Sequence, residues 1–365
     1  MAGPTRAPKA PFRGNARQRI ADIGRFPFTP GGRLSIELPR VGYLAGLYIR
    51  FAGVLTRGAQ DTGNFSDMFF NLMRRLSVNL NIGSALIYDV SGHGTNLLNQ
   101  AMSFNYAADM GGTGTAALPA PLDETADPVV WQGDPAAGAS NGLVFTWWIP
   151  IALNDGINFN IGLINLQAPE IRCTLDLQMG TVADLFAPGS TITNSVLSAS
   201  NIDVAYEYYE VPNPDFVSIP PFIVHRVLEE RQSIAANGDQ VYTVPRQGTL
   251  QRLIHNVIIN GVTNHYATTS LRIRVNKTDD VYRYQSSLNR FLSRMRYGHK
   301  VPRGAFYHDF WRAADVNATG DYRDTVDTEQ ISTLESIVST DPGTVLGIGN
   351  NFLDTTREFT QKLSN

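Results

Sequence analysis

The chain of 365 residues has a single cysteine, Cys173, so no disulfide can form within it. Its first residues hold no apolar signal-peptide core, and folding in a reducing cytoplasm is expected. Long apolar runs are scarce too. The longest, residues 143–153, is about half of the roughly 20 residues that a membrane-spanning helix needs, and it contains Pro150, so it reads as a buried strand. Charge of one sign is also lacking: a net charge of -3 argues against a protein that coats nucleic acid and predicts no sequence-specific nucleic-acid binding.

Signatures of catalysis are equally thin. The six histidines, His93, His225, His255, His265, His299 and His308, include no His-x-His pair, and there is no HExxH, CxxC or phosphate-binding G-x-x-x-x-G-K-[ST]. A two-domain cupin, the natural enzymatic rival, would need three His and a carboxylate inside each barrel, and only His93 lies in the first half. Gly138-Ala-Ser-Asn-Gly142 fits the G-x-S-x-G pattern, but a loop precedes it and a strand follows, the wrong context for a nucleophile elbow. The acidic pairs Glu229-Glu230 and Asp279-Asp280 read as solvated charge. No catalytic residue, metal ligand or cofactor is expected, and the chain reads as a non-enzyme.

What is present points to strands. The 32 Gly and 20 Pro interrupt helices, while 43% apolar and 10% aromatic residues supply the surface for two cores, more than one domain of this length usually builds. Alternation marks strands at residues 34–38, 76–80, 171–177 and 202–208, and again at 240–244, 271–275 and 304–307. Between the two sets lies a Pro-rich linker, 212–222, with Pro212, Pro214, Pro220 and Pro221. The expected organisation is a basic arm at 1–25, a first unit at 26–211, the linker, and a second unit at 223–365.

The two units repeat each other. Pro39, Arg40, Gly42, Leu44 and Leu47 match Pro245, Arg246, Gly248, Leu250 and Leu253 without a gap, 206 residues apart. Residues 75–79, then Ile87-Tyr88 and a helix-like 95–102, resemble residues 272–276, then Val281-Tyr282 and a helix-like 286–295. Residues 142–148 resemble 304–310, each opening an aromatic strand. Two copies of one β-sandwich explain the order. The Gly/Ala/Asp-rich stretch 107–141 has only 297–303 opposite it and belongs on an exposed end. The arm carries Arg6, Lys9, Arg13, Arg17, Arg19 and Arg25 against Asp22 alone, with Pro4, Pro8, Pro11 and Gly14 among them; a mobile solubilising tail and a segment that docks on an acidic partner both fit.

Residues 38–56, 145–153 and 301–309 resemble, in the same order, stretches of tectivirus-like major capsid proteins. The resemblance implies an all-β double jelly roll, two tandem eight-stranded sandwiches with short helices in loops. It further implies a homotrimer of pseudo-hexagonal outline that meets neighbouring trimers, penton and minor capsid proteins in an icosahedral virion, assembled in the host cytoplasm and usually enclosing a membrane. Loop 107–141 would then form an outer tower and the termini would lie at the base. Arg6, Lys9, Arg13, Arg17, Arg19 and Arg25 would face lipid headgroups or minor capsid proteins. The two helices would pack the trimer or lie on the surface. The alternative is a receptor- or carbohydrate-binding sandwich of spike or lectin type, for which Trp131 is the one Trp in a loop-like setting, since Trp147 and Trp148 fall inside an apolar strand.

Overall fold

The computed structural model describes residue 12 and residues 15–63, 65–66, 68–81, 85–102, 129–131 (backbone), 137–153, 161–212, 223–234, 237–297, 301–310, 325–347 and 350–362. The expected linker therefore lies almost wholly outside the described residues, as does most of loop 107–141.

The first half forms β1 (Arg17–Pro27), β2 (Arg33–Glu37), β3 (Tyr43–Thr56), β4 (Met73–Leu80), β5 (Ala85–Val90), α1 (Gly92–Met102), β6 (Val129–Trp131), β7 (Ser140–Pro150), β8 (Ile164–Asn165), β9 (Cys173–Met179) and β10 (Val196–Glu210). The second forms β11 (Ile223–Ser233), β12 (Asp239–Val244), β13 (Thr249–Ile259), β14 (Val262–Thr263), β15 (Thr268–Val275), β16 (Asp279–Gln285), α2 (Ser286–Tyr297), β17 (Ala305–Asp309), β18 (Val326–Asp327), β19 (Leu334–Thr340) and β20 (Phe352–Lys362).

The hydrogen-bonded orders are the same in both halves. In the first, β1-β10-β3-β7 faces β5-β4-β9-β2; in the second, β11-β20-β13-β17 faces β12-β19-β15-β16. Each set of eight is a jelly roll, and the chain is a double jelly roll. The halves are not separate sheets side by side, because β11 pairs in parallel with β5 (Val227 opposite Tyr88, Leu228 opposite Asp89) and so joins two of the four sheets into one.

The repeat has a conformational cause. Gly42 and Gly248 both sit at positive φ (66° and 91°) just before the long strands β3 and β13. A Cβ at either would run into a backbone carbonyl oxygen, of Tyr209 or of Thr360, so only glycine fits. Alternation then aims Leu47, Ile49, Phe51, Phe145, Trp147 and Ile149 inward, where Phe51, Phe70, Phe145 and Trp147 form a chain of ring contacts 5.5–6.2 Å apart. The Trp147 indole N–H donates to the Gly92 carbonyl at 3.1 Å and so ties the first turn of α1 to the core.

Two expectations need correction. The backbone of Trp131 is not in a loop: it pairs with Leu143 as part of β6. Helix α1 is not on the surface either, since Gly92 through Ala101 are all buried.

Candidate functional site

The densest constellation of ionisable side chains lies along the seam where the two jelly rolls meet. Strand β11 supplies most of it. His225 reaches the Pro150 carbonyl through Nδ1 (3.2 Å) and Glu358 through Nε2 (3.0 Å). Glu229 accepts from the Ser91 amide at 2.7 Å, the Ser91 hydroxyl at 3.0 Å and Arg75 at 3.3 Å, all from the first roll. Arg231 forks onto Asp354 at 2.6 and 2.7 Å, and Arg75 forks onto Asp89 at the same two distances. Deeper in, Arg252 lies 2.6 Å from Glu358 and 3.2 Å from Asp309, which also accepts from the Tyr297 hydroxyl at 2.7 Å. The Arg226 guanidinium donates to the Leu86 carbonyl (3.0 Å), and the Tyr307 hydroxyl to the Leu97 carbonyl (3.3 Å).

Burial pulls against the charge of Arg252, but Asp309 and Glu358 outweigh it and hold the guanidinium above its ordinary pKa. Glu229 goes the other way for an acid. Burial and the nearby Asp354 raise its carboxyl to about 6, against the opposing pull of Ser91 and Arg75. The folded chain therefore binds this proton more tightly than the unfolded chain, and stability falls as pH rises from 4.5 toward 6. Glu229→Gln is expected to flatten that part of the stability profile, as read from urea unfolding at pH 5 and pH 7.5. A slope unchanged by the substitution would clear Glu229 of the effect.

Chemically, this arrangement fastens two sandwiches together. His225, Glu358 and Arg252 are each at most 3% exposed, so no substrate reaches them. A cleft beside His308, Tyr284 and Arg296 has about 20 Å³ of room, enough for roughly one water. Among the described residues no three His, Cys, Asp or Glu side chains are grouped to hold a metal. Ser140, the serine of the G-x-S-x-G match, opens β7 and shares a 2.7 Å hydrogen bond with the Thr56 hydroxyl.

The residues expected to make the arm are divided. Arg6, Lys9 and Arg13 lie outside the described residues. Arg17, Arg19 and Arg25 do not belong to a flexible arm: they are part of β1, in register with β10 from Arg17–Glu210 to Pro27–Asn201. Arg25 pairs with Asp203 at 2.6 Å and Arg19 with Glu210 at 3.4 Å, so acids of the same sheet already meet two of the three cations. Phe12 packs edge-on against Tyr43 and Tyr209, at 5.9 and 5.6 Å, and pins the chain ahead of β1. The start of β1, the end of β10, the start of β11 and the end of β20 share one end of the molecule, because Arg17 pairs Glu210, Ile223 pairs Lys362, and His225 touches Pro150 beside Gly46.

The seam was missed in the sequence. Glu229, expected in solvent, is buried there. The available signal was one face of β11 on which His225, Glu229 and Arg231 alternate with Val227, a pattern that fits a sheet face covered by another polar surface.

Comparison with solved structures agrees with the topology. The STIV MCP, from Sulfolobus Turreted Icosahedral Virus, superposes with a TM-score of 0.68 at 14% identity, covering 95% of this chain and 96% of that one. The PBCV-1 virus capsid gives 0.63 at 14% identity, covering 95% and 94%. The major capsid protein P2 from bacteriophage PM2 gives 0.55 at 11% identity, covering 96% and 99%. No protein-family model and no curated protein matches the sequence. At these identities the likeness establishes the fold.

Proposed function

We propose that this chain is a viral major capsid protein, three copies of which close into a pseudo-hexagonal unit that tiles an icosahedral shell. One observation carries the reading. Two sandwiches of identical strand order are locked into a single body by a shared sheet and a buried ionic seam, over the whole length of capsid proteins with the same fold. Two like sandwiches per chain give six like wedges per trimer, which supports hexagonal packing from one gene product. Nothing in the seam turns over a substrate, which fits a building role over an enzymatic one.

In this reading the end that gathers Arg17, Glu210, Ile223 and Lys362 is the inner base, and segment 107–141 belongs to the outer end, since Ser140 pairs with Thr56 at the far end of β3. Units 26–211 and 223–365, joined by 212–222, form the two wedges. Penton and minor capsid proteins fill the places that trimers leave, in a virion assembled in the host cytoplasm. The cations ahead of Phe12, Arg6 and Lys9, together with Arg13, face an internal membrane or a minor capsid protein. Arg19 and Arg25, already paired, add little.

Mass in solution by light scattering, with negative-stain images of the same sample, tests the proposal. Three chains in a flat six-lobed particle are expected. A monomer at every concentration would contradict it and favour a binding module. Deleting residues 1–11 should weaken association with anionic vesicles; an unchanged affinity would exclude lipid and leave the minor capsid protein.

A further inference from the structure

We infer that the β16 edge and α2 of one copy dock on the β1 edge of a second copy, repeating between chains the contact that β5 and α1 make with β11 inside each chain. The inference rests on the shell-subunit reading and names the surfaces that would build it.

The argument starts from positions that the repeat makes equivalent. Gly46 and Arg252 correspond in the sequence match, and they stand opposite Glu207 and Glu358. A register shift follows at the next pair in both halves. Opposite the same two glutamates, on the other side, stand Ile20 of β1 and Val227 of β11. The polar neighbours correspond as well, because Gln18 hydrogen-bonds Glu207 as His225 hydrogen-bonds Glu358. Val227 is 0% exposed, covered at the seam where it meets Tyr88 of β5. Ile20, in the corresponding place, is 65% exposed. The edge that β11 presents to β5 is thus present a second time, on β1, and no described strand pairs with β1 on that side.

The other half of the contact is also present twice. Strand β5 and helix α1 lie against the second roll: Ser91 holds Glu229, a Cβ at Gly94 would strike Glu229, and the Leu97 carbonyl takes the Tyr307 hydroxyl. Strand β16 takes the place of β5 at the end of its sheet, and α2 follows it as α1 follows β5. Both helices are fixed to the neighbouring strand alike: Asn289 binds the backbone of Tyr307, and Asn99, with its amide turned to satisfy both groups, binds that of Trp148 at 2.7 and 3.0 Å. Yet α2 buries only Asn289, Ser293 and Tyr297. On its other side Leu288 (46%), Phe291 (58%) and Met295 (55%) form an i, i+3, i+7 stripe, and Val281 of β16 is 56% exposed.

Of the eleven large apolar side chains exposed among the described residues, four (Val281, Leu288, Phe291 and Met295) gather on β16 and α2, and Ile20 is the one on β1. Charge narrows the match to particular residues. Helix α2 carries Arg294 and Arg296 and no acid, while Arg290 is held by the Val301, Pro302 and Ala305 carbonyls. On the β1–β10 face Asp203 is already paired with Arg25, which leaves Asp22 as the acid that matches the seam. Asp22 stands two residues beyond Ile20, as Glu229 stands two beyond Val227. A second copy is the occupant because the chain itself holds both complementary surfaces, in a head-to-tail arrangement that a ring can close.

Ile20→Cys and Val281→Cys placed in one full-length chain, treated with a short bismaleimide, test the contact. Cys173 is buried and its thiol is pushed up to about 12, so it does not compete. A cross-linked ladder that stops at three chains is expected, and none from Val41→Cys with Val345→Cys. Phe291→Glu, on an exposed position that the fold does not need, should weaken trimers about thirty-fold by light scattering, the size of a central interface residue. Trimers that form normally, resist cross-linking and ignore Phe291→Glu would overturn this contact while leaving the shell-subunit reading intact. A chain that is monomeric before any substitution would overturn both.

Discussion

Arg252→Met is expected to cost about 3–5 kcal/mol of stability, the range for breaking a buried ion pair from one side. The guanidinium is 3% exposed and is the cation that both Asp309 and Glu358 face, at 3.2 and 2.6 Å. Methionine fills much the same volume, so the loss isolates the charge. Two carboxylates would be left in a dry seam without the cation they share. Urea unfolding at neutral pH reads the loss. Adding Glu358→Gln to Arg252→Met should recover part of the loss, because one buried charge that has lost its arginine disappears. A deficit below about 1 kcal/mol, the value of an exposed pair, would mean that the seam is wetter than its burial implies.

Trp147→Ala should be of similar size, about 3–5 kcal/mol for deleting a fully buried indole. Its ring closes the aromatic chain with Phe70 and Phe145, and its N–H holds the Gly92 carbonyl at the start of α1. The adjacent Trp148 points to the other face of β7 and is half-buried, so Trp148→Ala should cost less than half as much. Thermal unfolding of the two variants side by side checks the register of β7. Equal losses would mean that the strand faces have been read the wrong way round.

The architecture was largely legible because its determinants are local. Gly42 and Gly248 recur where a positive φ and a nearby carbonyl oxygen exclude any Cβ, and alternation around Trp147 and Ile202 marks inward faces without reference to the rest of the chain. The helices at 95–102 and 286–295 were legible for the same reason, each following its strand in both halves. Their environments were not: α1 is buried because a second sandwich covers it, and nothing within its own residues carries that information. Strand β1 was hidden by its composition. Arg17, Arg19 and Arg25 read as a solvated arm until Glu210 and Asp203, nearly 200 residues later, come alongside to pair two of them. The pairings within the ionic seam were hidden for a related reason, since the partners of Arg252 and Glu229 come from strands distant in sequence, and only the fold brings Glu358, Asp309 and Arg75 to them.

The central claim is that one chain supplies two equivalent wedges of a six-lobed unit. A three-dimensional image reconstruction of the purified particle, at a resolution that separates strands, tests it most directly. Six sandwiches should alternate first roll and second roll around one axis, with every arginine of the arm, from Arg6 to Arg13, issuing at the same end. A particle with two- or fourfold symmetry, or sandwiches whose two kinds of neighbour contact differ in geometry, would contradict it.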